Sequence, residues 1–210
     1  MLSAFFPSHV ALKIAIFRVM ATQKIIITGG PGSGKSTLLE ALKKKGYTCY
    51  DEVSRRLIKQ ETEKQSGILP WDNLPAFAEM VFHEMLAQHD DADRQLGTCF
   101  FDRALPDVLG YLKNSGLCSP SRYIQRIRRC TYSANVFILP PWPDIFVQDS
   151  ERPQTFEESM SLYHALFEAY SELGFQLWKV PFGSPEERVA FLEDVLASLH
   201  ATAEMPMAQK

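Results

Sequence analysis

Apolar positions fall along this chain in two alternating patterns. Ile25-Ile26-Ile27-Thr28, Thr98-Cys99-Phe100-Phe101 and Asn135 to Leu139 are short runs with no polar face. Strands of that kind, apolar on both sides, belong inside a parallel sheet covered by helices. Tyr47 to Tyr50 and Phe175 to Val180 read as two further strands. Between the strands, apolar residues recur every three or four positions. The clearest case puts Met160, Tyr163, Phe167, Tyr170 and Leu173 on one helical face.

Helix boundaries are marked as well. Lys43-Lys44-Lys45 followed by Gly46 closes a helix that begins near residue 35. Thr155 with Glu158 and Ser184 with Glu187 have the spacing of capping boxes. Further helices are predicted from Glu52 to about Glu63, from about 74 to His89, near 105–114 and near 120–131, with Asp90-Asp91-Ala92-Asp93 as a solvated link. Strands alternating with helices predict an α/β fold around a five-stranded parallel sheet, with helices on both faces.

The 210 residues suit one domain, expected over 23–200, with 1–22 as an N-terminal extension and 201–210 as a tail. Lys13 and Arg18 interrupt the apolar character of the extension, against a secretory leader. The formal charge of −3 lacks the basic surplus of a nucleic-acid binder. Cys49, Cys99, Cys118 and Cys130 are scattered without metal spacing. Cys49 and Cys99, lying in strand-like runs, read as buried free thiols, which points to a reducing compartment, the cytoplasm. No apolar run is long enough to serve as a transmembrane segment.

The candidate chemistry begins at the end of the first strand. Gly29-Gly30-Pro31-Gly32-Ser33-Gly34-Lys35-Ser36-Thr37 contains a full G-x-x-x-x-G-K-S phosphate-binding loop between a strand and a helix. Glycines let successive N–H groups turn inward toward phosphates, and the helix start adds donors and partial positive charge. Lys35 can reach the outer phosphates of ATP or GTP, and the Ser36 hydroxyl can ligate Mg2+. With this loop, the strand pattern becomes that of a three-layer P-loop NTPase of the nucleotide-kinase type.

Other residues gather around it by position. Asp102 ends an apolar strand where a magnesium-shell carboxylate belongs, or it caps the next turn. Arg103 can grip a substrate or the transferring phosphate, or form a surface ion pair with Asp107. Glu52 lies at the carboxyl edge of the second strand, where it can take a proton from an acceptor hydroxyl. Arg55, one helical turn on, can hold that acceptor. Asp51 competes for the same role, with helix capping and a solvated Glu–Arg pair as alternatives. Arg152 lies where this fold carries its lid and can close over the phosphates or pair within its loop. Trp142 can stack on a planar ligand ring or anchor its loop. The run Arg122, Arg126, Arg128 and Arg129 reads as a wet helix face rather than an anion site.

Taken together, GGPGSGKST, DEVSRRLI, FFDRALPDVLGYL and FILPPWPDIFVQDSERPQ resemble the NadR-like AAA-type ATPase family of small P-loop NTPases over about 24–200. That family includes ribosylnicotinamide kinase domains. The resemblance implies ATP or GTP bound at Gly29 to Thr37, Asp102 serving magnesium or the acceptor, and Arg152 in the lid. It implies a kinase that moves a γ-phosphoryl group to a hydroxyl of an unidentified, nucleoside-like small-molecule acceptor. An animal branch associated with GTP and phospholipid binding leaves the alternative of a nucleotide switch or slow NTPase acting through a protein or membrane partner. No second-region arginine signature of a ring-forming AAA motor is found.

Overall fold

A computed structural model describes residues 22–146 and 154–204. The chain runs β1 (Gln23–Gly29), α1 (Lys35–Lys44), β2 (Thr48–Tyr50), α2 (Val53–Lys64), α3 (Leu74–Ala92), β3 (Thr98–Asp102) and α4 (Leu105–Asn114). It continues through α5 (Ser121–Ile127), β4 (Tyr132–Leu139), a 3-10 turn (Pro143–Ile145), α6 (Phe156–Glu172), β5 (Gln176–Lys179) and α7 (Pro185–Glu204). All strand pairs are parallel, in the order β2-β3-β1-β4-β5. The predicted five-stranded sheet is therefore present.

The unbroken apolar runs explain the layering. β1 is central, with Ile25 opposite Phe100, and Ile27 opposite both Asp102 and Phe137. Ile25, Ile27 and Phe137 pack with Leu38 and Leu42 of α1 and Leu192 of α7 on one face. On the other, Ile138 meets Leu162 and Leu166 of α6, while Ile26 and Val136 meet Ala104 and Tyr170. Helix α4 approaches α6 so closely that a Cβ on Gly110 would come within 2.6 Å of Leu166. Helices α2, α3 and α4 share a further apolar cluster through Leu57, Phe77, Val81 and Val108. The strand order reverses at β1, so the crevice above its carboxyl end is where open α/β sheets place ligands.

Both capping boxes form: the Thr155 N–H donates to Glu158 Oε2 at 2.7 Å, and the Ser184 N–H to Glu187 Oε2 at 2.8 Å. Three boundaries depart from the sequence reading. Residues 90–93 are solvated at Asp90 and Asp93 as expected, but they are no link: 90–92 form the last turn of α3 and Asp93 is its C-cap. Ala92 is fully buried, and Asp91 Oδ2 accepts the Tyr50 hydroxyl at 2.8 Å. Helix α5 stops at Ile127, and β4 starts at Tyr132 rather than Asn135, paired with Lys24. The Tyr132 ring packs edge-on against Phe101 and His89, with centroids 5.6 and 4.8 Å away, which draws the strand in early. All four cysteines are free; Cys99 is buried, Cys49 only half-buried, and Cys118 exposed. Among the described residues no helix is long and apolar enough to cross a membrane.

Candidate active site

The phosphate loop leaves β1 at Gly29 and enters α1 at Lys35, with left-handed Gly34 (φ 77°) at the helix start. At Gly32 (φ +70°) a Cβ would lie 2.4 Å from the Phe146 ring, so only glycine fits that turn. Ser159 of α6 ties the loop down by donating its hydroxyl to Pro31 O at 2.8 Å. The Lys35 ammonium folds back on the loop, donating to Gly29 O at 2.8 Å and Gly30 O at 3.0 Å. Burial, helped by the Arg103 charge, lowers its pKa to about 8.

Strand β3 delivers the acid–arginine pair. Asp102 is buried, and its Oδ1 has no hydrogen-bond partner. Burial raises its pKa, with Lys35 and Arg103 opposing. Arg103 is 3% exposed and adopts a left-handed backbone (φ 66°), a conformation that costs energy in a non-glycine residue. That twist turns its side chain across the sheet edge to an ion pair with Glu52. The surface Arg103–Asp107 pair of the sequence reading is absent because both residues are buried and differently engaged. Asp107 accepts from Thr28 Oγ1 and the Tyr170 hydroxyl, both at 2.5 Å, and from the Ala104 N–H at 2.8 Å. Burial nonetheless raises its pKa.

Glu52 stands at the start of α2 and makes no side-chain cap. Burial alone would raise its pKa, but the charges of Arg103, Lys35 and Arg55 outweigh it and hold the carboxylate below its usual range. Arg55 Nη2 is 3.8 Å from Glu52 Oε2. Asp51 neither caps the helix nor joins the site; its carboxylate takes the Lys43 ammonium at 2.6 Å. The sequence-predicted Lys35, Asp102, Arg103, Glu52 and Arg55 thus form one connected group of charges.

A cavity of about 890 Å³ is lined by Lys35, Glu52, Arg55 and Arg103 of this group, though not by Asp102. One end is lined by the loop from Pro31 to Thr37, with Glu52, Arg55 and Arg103. The other runs between α2, α3 and α4, where Trp71, Phe77, Val81, Met85, Val108 and Tyr111 make it apolar. Those aromatic and aliphatic residues were read in the sequence only as helix and loop positions, since nothing local distinguishes a chamber wall from a core face. Trp142 does not line this cavity. It stacks on Phe182 at 5.0 Å, and its Nε1–H reaches Asp144 at 3.2 Å. Arg122 and Arg126 pair with Glu79 and Asp90, in agreement with a wet face. Arg152 lies outside the described residues.

Two oxygen donors are of the kind a hard divalent cation takes: Asp102 Oδ1, buried and without a partner, and the Ser36 hydroxyl in the first turn of α1, which lines the polar end of the cavity.

A family profile described as an AAA domain matches residues 24–188. Among curated proteins there is no sequence match. Among solved structures the chain is similar to deoxyadenosine kinase from M. mycoides, with 20% identity, a TM-score of 0.53, and 84% of this chain and 100% of that one covered. It is similar to thymidylate kinase from Candida albicans with 14% identity and a TM-score of 0.58, covering 86% and 93%. It is also similar to the NadR protein in complex with NR, with 12% identity and a TM-score of 0.56, covering 90% of this chain and 53% of that one. At these identities the likeness is one of fold.

Proposed function

The chain belongs to the AAA domain family, and we propose that within it this protein is a small-molecule kinase close to the NadR-like branch. It passes the γ-phosphoryl group of ATP or GTP to a hydroxyl of a nucleoside-like acceptor. The observation that carries this reading is the cavity. A nucleotide switch needs only the phosphate loop, whereas here one cavity of about 890 Å³ runs from the loop into an apolar chamber. The four free cysteines fit a reducing, cytoplasmic setting.

In this reading the N–H groups of the loop from Gly29 to Thr37, Pro31 excepted, hold the β- and γ-phosphates, and the Lys35 ammonium leaves its loop carbonyls for phosphate oxygens. Phosphate charge raises the Lys35 pKa from about 8, so the lysine is fully protonated when it works. Ser36 and Asp102 would hold Mg2+, which supplies neutralisation of phosphate charge. Arg103 orients Glu52, whose carboxylate accepts a hydrogen bond from the acceptor hydroxyl. The acceptor oxygen forms its bond to the γ-phosphorus as the bond to the β-phosphate bridging oxygen breaks, and the hydroxyl proton passes to Glu52. A carboxylate held below its usual pKa is a weak base. That suffices for a loose transition state, in which the proton moves late and orientation matters more than basicity.

Arg55 lies beside Glu52 to hold the acceptor, and the apolar wall takes the acceptor's ring. Trp142, stacked on Phe182 away from the chamber, acts in this reading as an anchor of its loop. Arg152, outside the described residues, keeps the role proposed from its sequence position, closing over the phosphates. Nucleotide consumption with ATP and GTP, measured against a panel of nucleosides and other hydroxyl compounds, tests the reading. Strong stimulation by one acceptor class is expected. Binding and slow hydrolysis indifferent to every acceptor would replace the kinase with a nucleotide switch.

A further inference from the structure

Arg188, on the first turn of α7, has no part in the chemistry described so far, yet it is 3% exposed. Its Nη2 donates to Ser33 O at 3.1 Å and its Nη1 to Gly34 O at 3.3 Å, while its Nε has no partner. Among the described residues no carboxylate pairs with it, and burial lowers its pKa with no opposing charge. The Trp142 ring lies 5.8 Å from the guanidinium carbon. A buried cation without a counter-ion is expensive to keep. Its two engaged donors both point at the phosphate loop, which identifies what it serves.

We infer that Arg188 is a positioning residue for nucleotide binding, which grips the carbonyl ends of two successive loop peptides and so aims and polarises their N–H ends. The units concerned are Ser33–Gly34 and Gly34–Lys35, whose N–H groups belong to Gly34 and Lys35. A peptide is a rigid plane with C=O and N–H pointing opposite ways, so anchoring the oxygen fixes where the hydrogen points. A charged donor on the oxygen also strengthens the hydrogen bond that the N–H can make. A planar guanidinium spans two adjacent carbonyls, which a single ammonium cannot match in geometry. The same side chain places positive charge behind the loop, where burial limits its screening. This inference rests on the loop binding a nucleotide, but not on the identity of the acceptor.

The test is calorimetric titration of the wild-type chain, Arg188→Met and Arg188→Lys with Mg-ATP and Mg-GTP, together with the Tm of each protein without nucleotide. Arg188→Met is expected to lose about ten- to a hundredfold in affinity, the scale of two hydrogen bonds from a charged donor. Its Tm should not fall, because a methionine of similar length removes an uncompensated charge. Arg188→Lys should recover part of the lost affinity. Wild-type affinity in a folded Arg188→Met overturns the inference. So does a lysine variant no better than methionine with both Tm values lowered, which would make Arg188 a packing element. Should Arg188→Met fail to fold, Arg188→Gln, which keeps donors without charge, is titrated in its place: a tenfold or larger loss supports the inference and wild-type affinity overturns it. A wild-type chain that bound neither nucleotide would overturn the parent reading as well, whereas wild-type binding with indifferent variants removes this inference alone.

Discussion

Lys24 and Lys35 are both buried lysines on or beside β1, one at the amino edge of the sheet and one at the carboxyl edge, and their surroundings could hardly differ more. Lys24 uses all three of its donor positions: Asp93 Oδ1 at 2.7 Å, His89 Nε2 at 3.0 Å and Thr131 Oγ1 at 3.1 Å. Lys35 has only loop oxygens, a nearby guanidinium, and a pKa lowered to about 8. Around it lie an unpartnered Asp102 oxygen, an unpartnered Arg103 Nε and a left-handed Arg103 backbone. At the amino edge, buried charge knits α3 to β1 and the start of β4. At the carboxyl edge, the same kind of charge is left partly unsatisfied, and that stored cost becomes available to a ligand that supplies the missing partners.

The sharpest way to break this contrast is to remove each lysine. Lys35→Met should lower turnover by at least 10²–10³-fold, on the order of losing a preorganised charge contact. Its Tm should stay level or rise by a few degrees, because the variant no longer buries a charge the fold disfavours. Steady-state nucleotide consumption and a thermal melt read the two effects separately. A large drop in Tm would place Lys35 in the structural class and erase the distinction.

Glu52→Gln probes the same edge with a smaller change. The amide still fills its place beside Arg103 but cannot accept the acceptor's proton. Acceptor-dependent turnover should fall about 10²-fold, while nucleotide affinity changes little. Equal losses in both would move Glu52 from the acceptor to the nucleotide.

How much of this could be read from the chain depends on how far apart the partners lie. The sheet was legible because parallel strands buried on both faces leave unbroken apolar runs such as Ile25 to Ile27. The phosphate loop was legible because consecutive backbone groups do its work. Asp102 and Arg103 could be found because strand ends at one sheet edge converge. The pairing of Arg103 with Glu52, 51 residues away, has no local signal, and the surface pair with Asp107, the alternative to a substrate role for Arg103, does not form. Asp107 is held by Thr28 and Tyr170, 79 and 63 residues distant, and Arg188 reaches the loop across 154. Contacts of that range have no local pattern. The helical state of residues 90–92 escaped for a related reason: the acids do face solvent as their spacing suggests, but burial of Ala92 and the hold of Lys24 of β1 on Asp93 carry the helix through them.

Lys24→Met tests the amino edge. It breaks three hydrogen bonds, one of them the ion pair with Asp93, although Asp93, being largely exposed, can turn to water. A loss of about 1–3 kcal/mol is expected, or several degrees in Tm. Turnover per folded molecule should be unchanged, the reverse of Lys35→Met. Reduced activity in fully folded Lys24→Met would mean that the two edges communicate.

The smallest expected effect is a dependence on pH, and it too belongs to the amino edge. His89 Nε2 faces the Lys24 ammonium at 3.0 Å and the Thr131 N–H at 3.1 Å, so it must act as acceptor, with its proton on Nδ1 toward Asp90 Oδ1 at 3.0 Å. Burial, joined by the Lys24 charge, lowers its pKa below the ordinary 6.5, against the pull of Asp90 and Asp93. The unfolded chain therefore takes up a proton at a pH where the native state does not. Stability from this residue is fully present above pH 6.5 and declines as the pH falls through that value, by at most about 1.4 kcal/mol per pH unit for one proton. His89→Gln keeps an acceptor near the Nε2 position but cannot titrate. Chemical denaturation at pH 7.5, 6.5 and 5.5 should show the wild-type chain losing stability faster than the variant, while carboxylates common to both cancel in the difference. Parallel curves would mean that His89 titrates no differently in the folded and unfolded chain, and that the amino edge is less tightly specified than its hydrogen bonds imply.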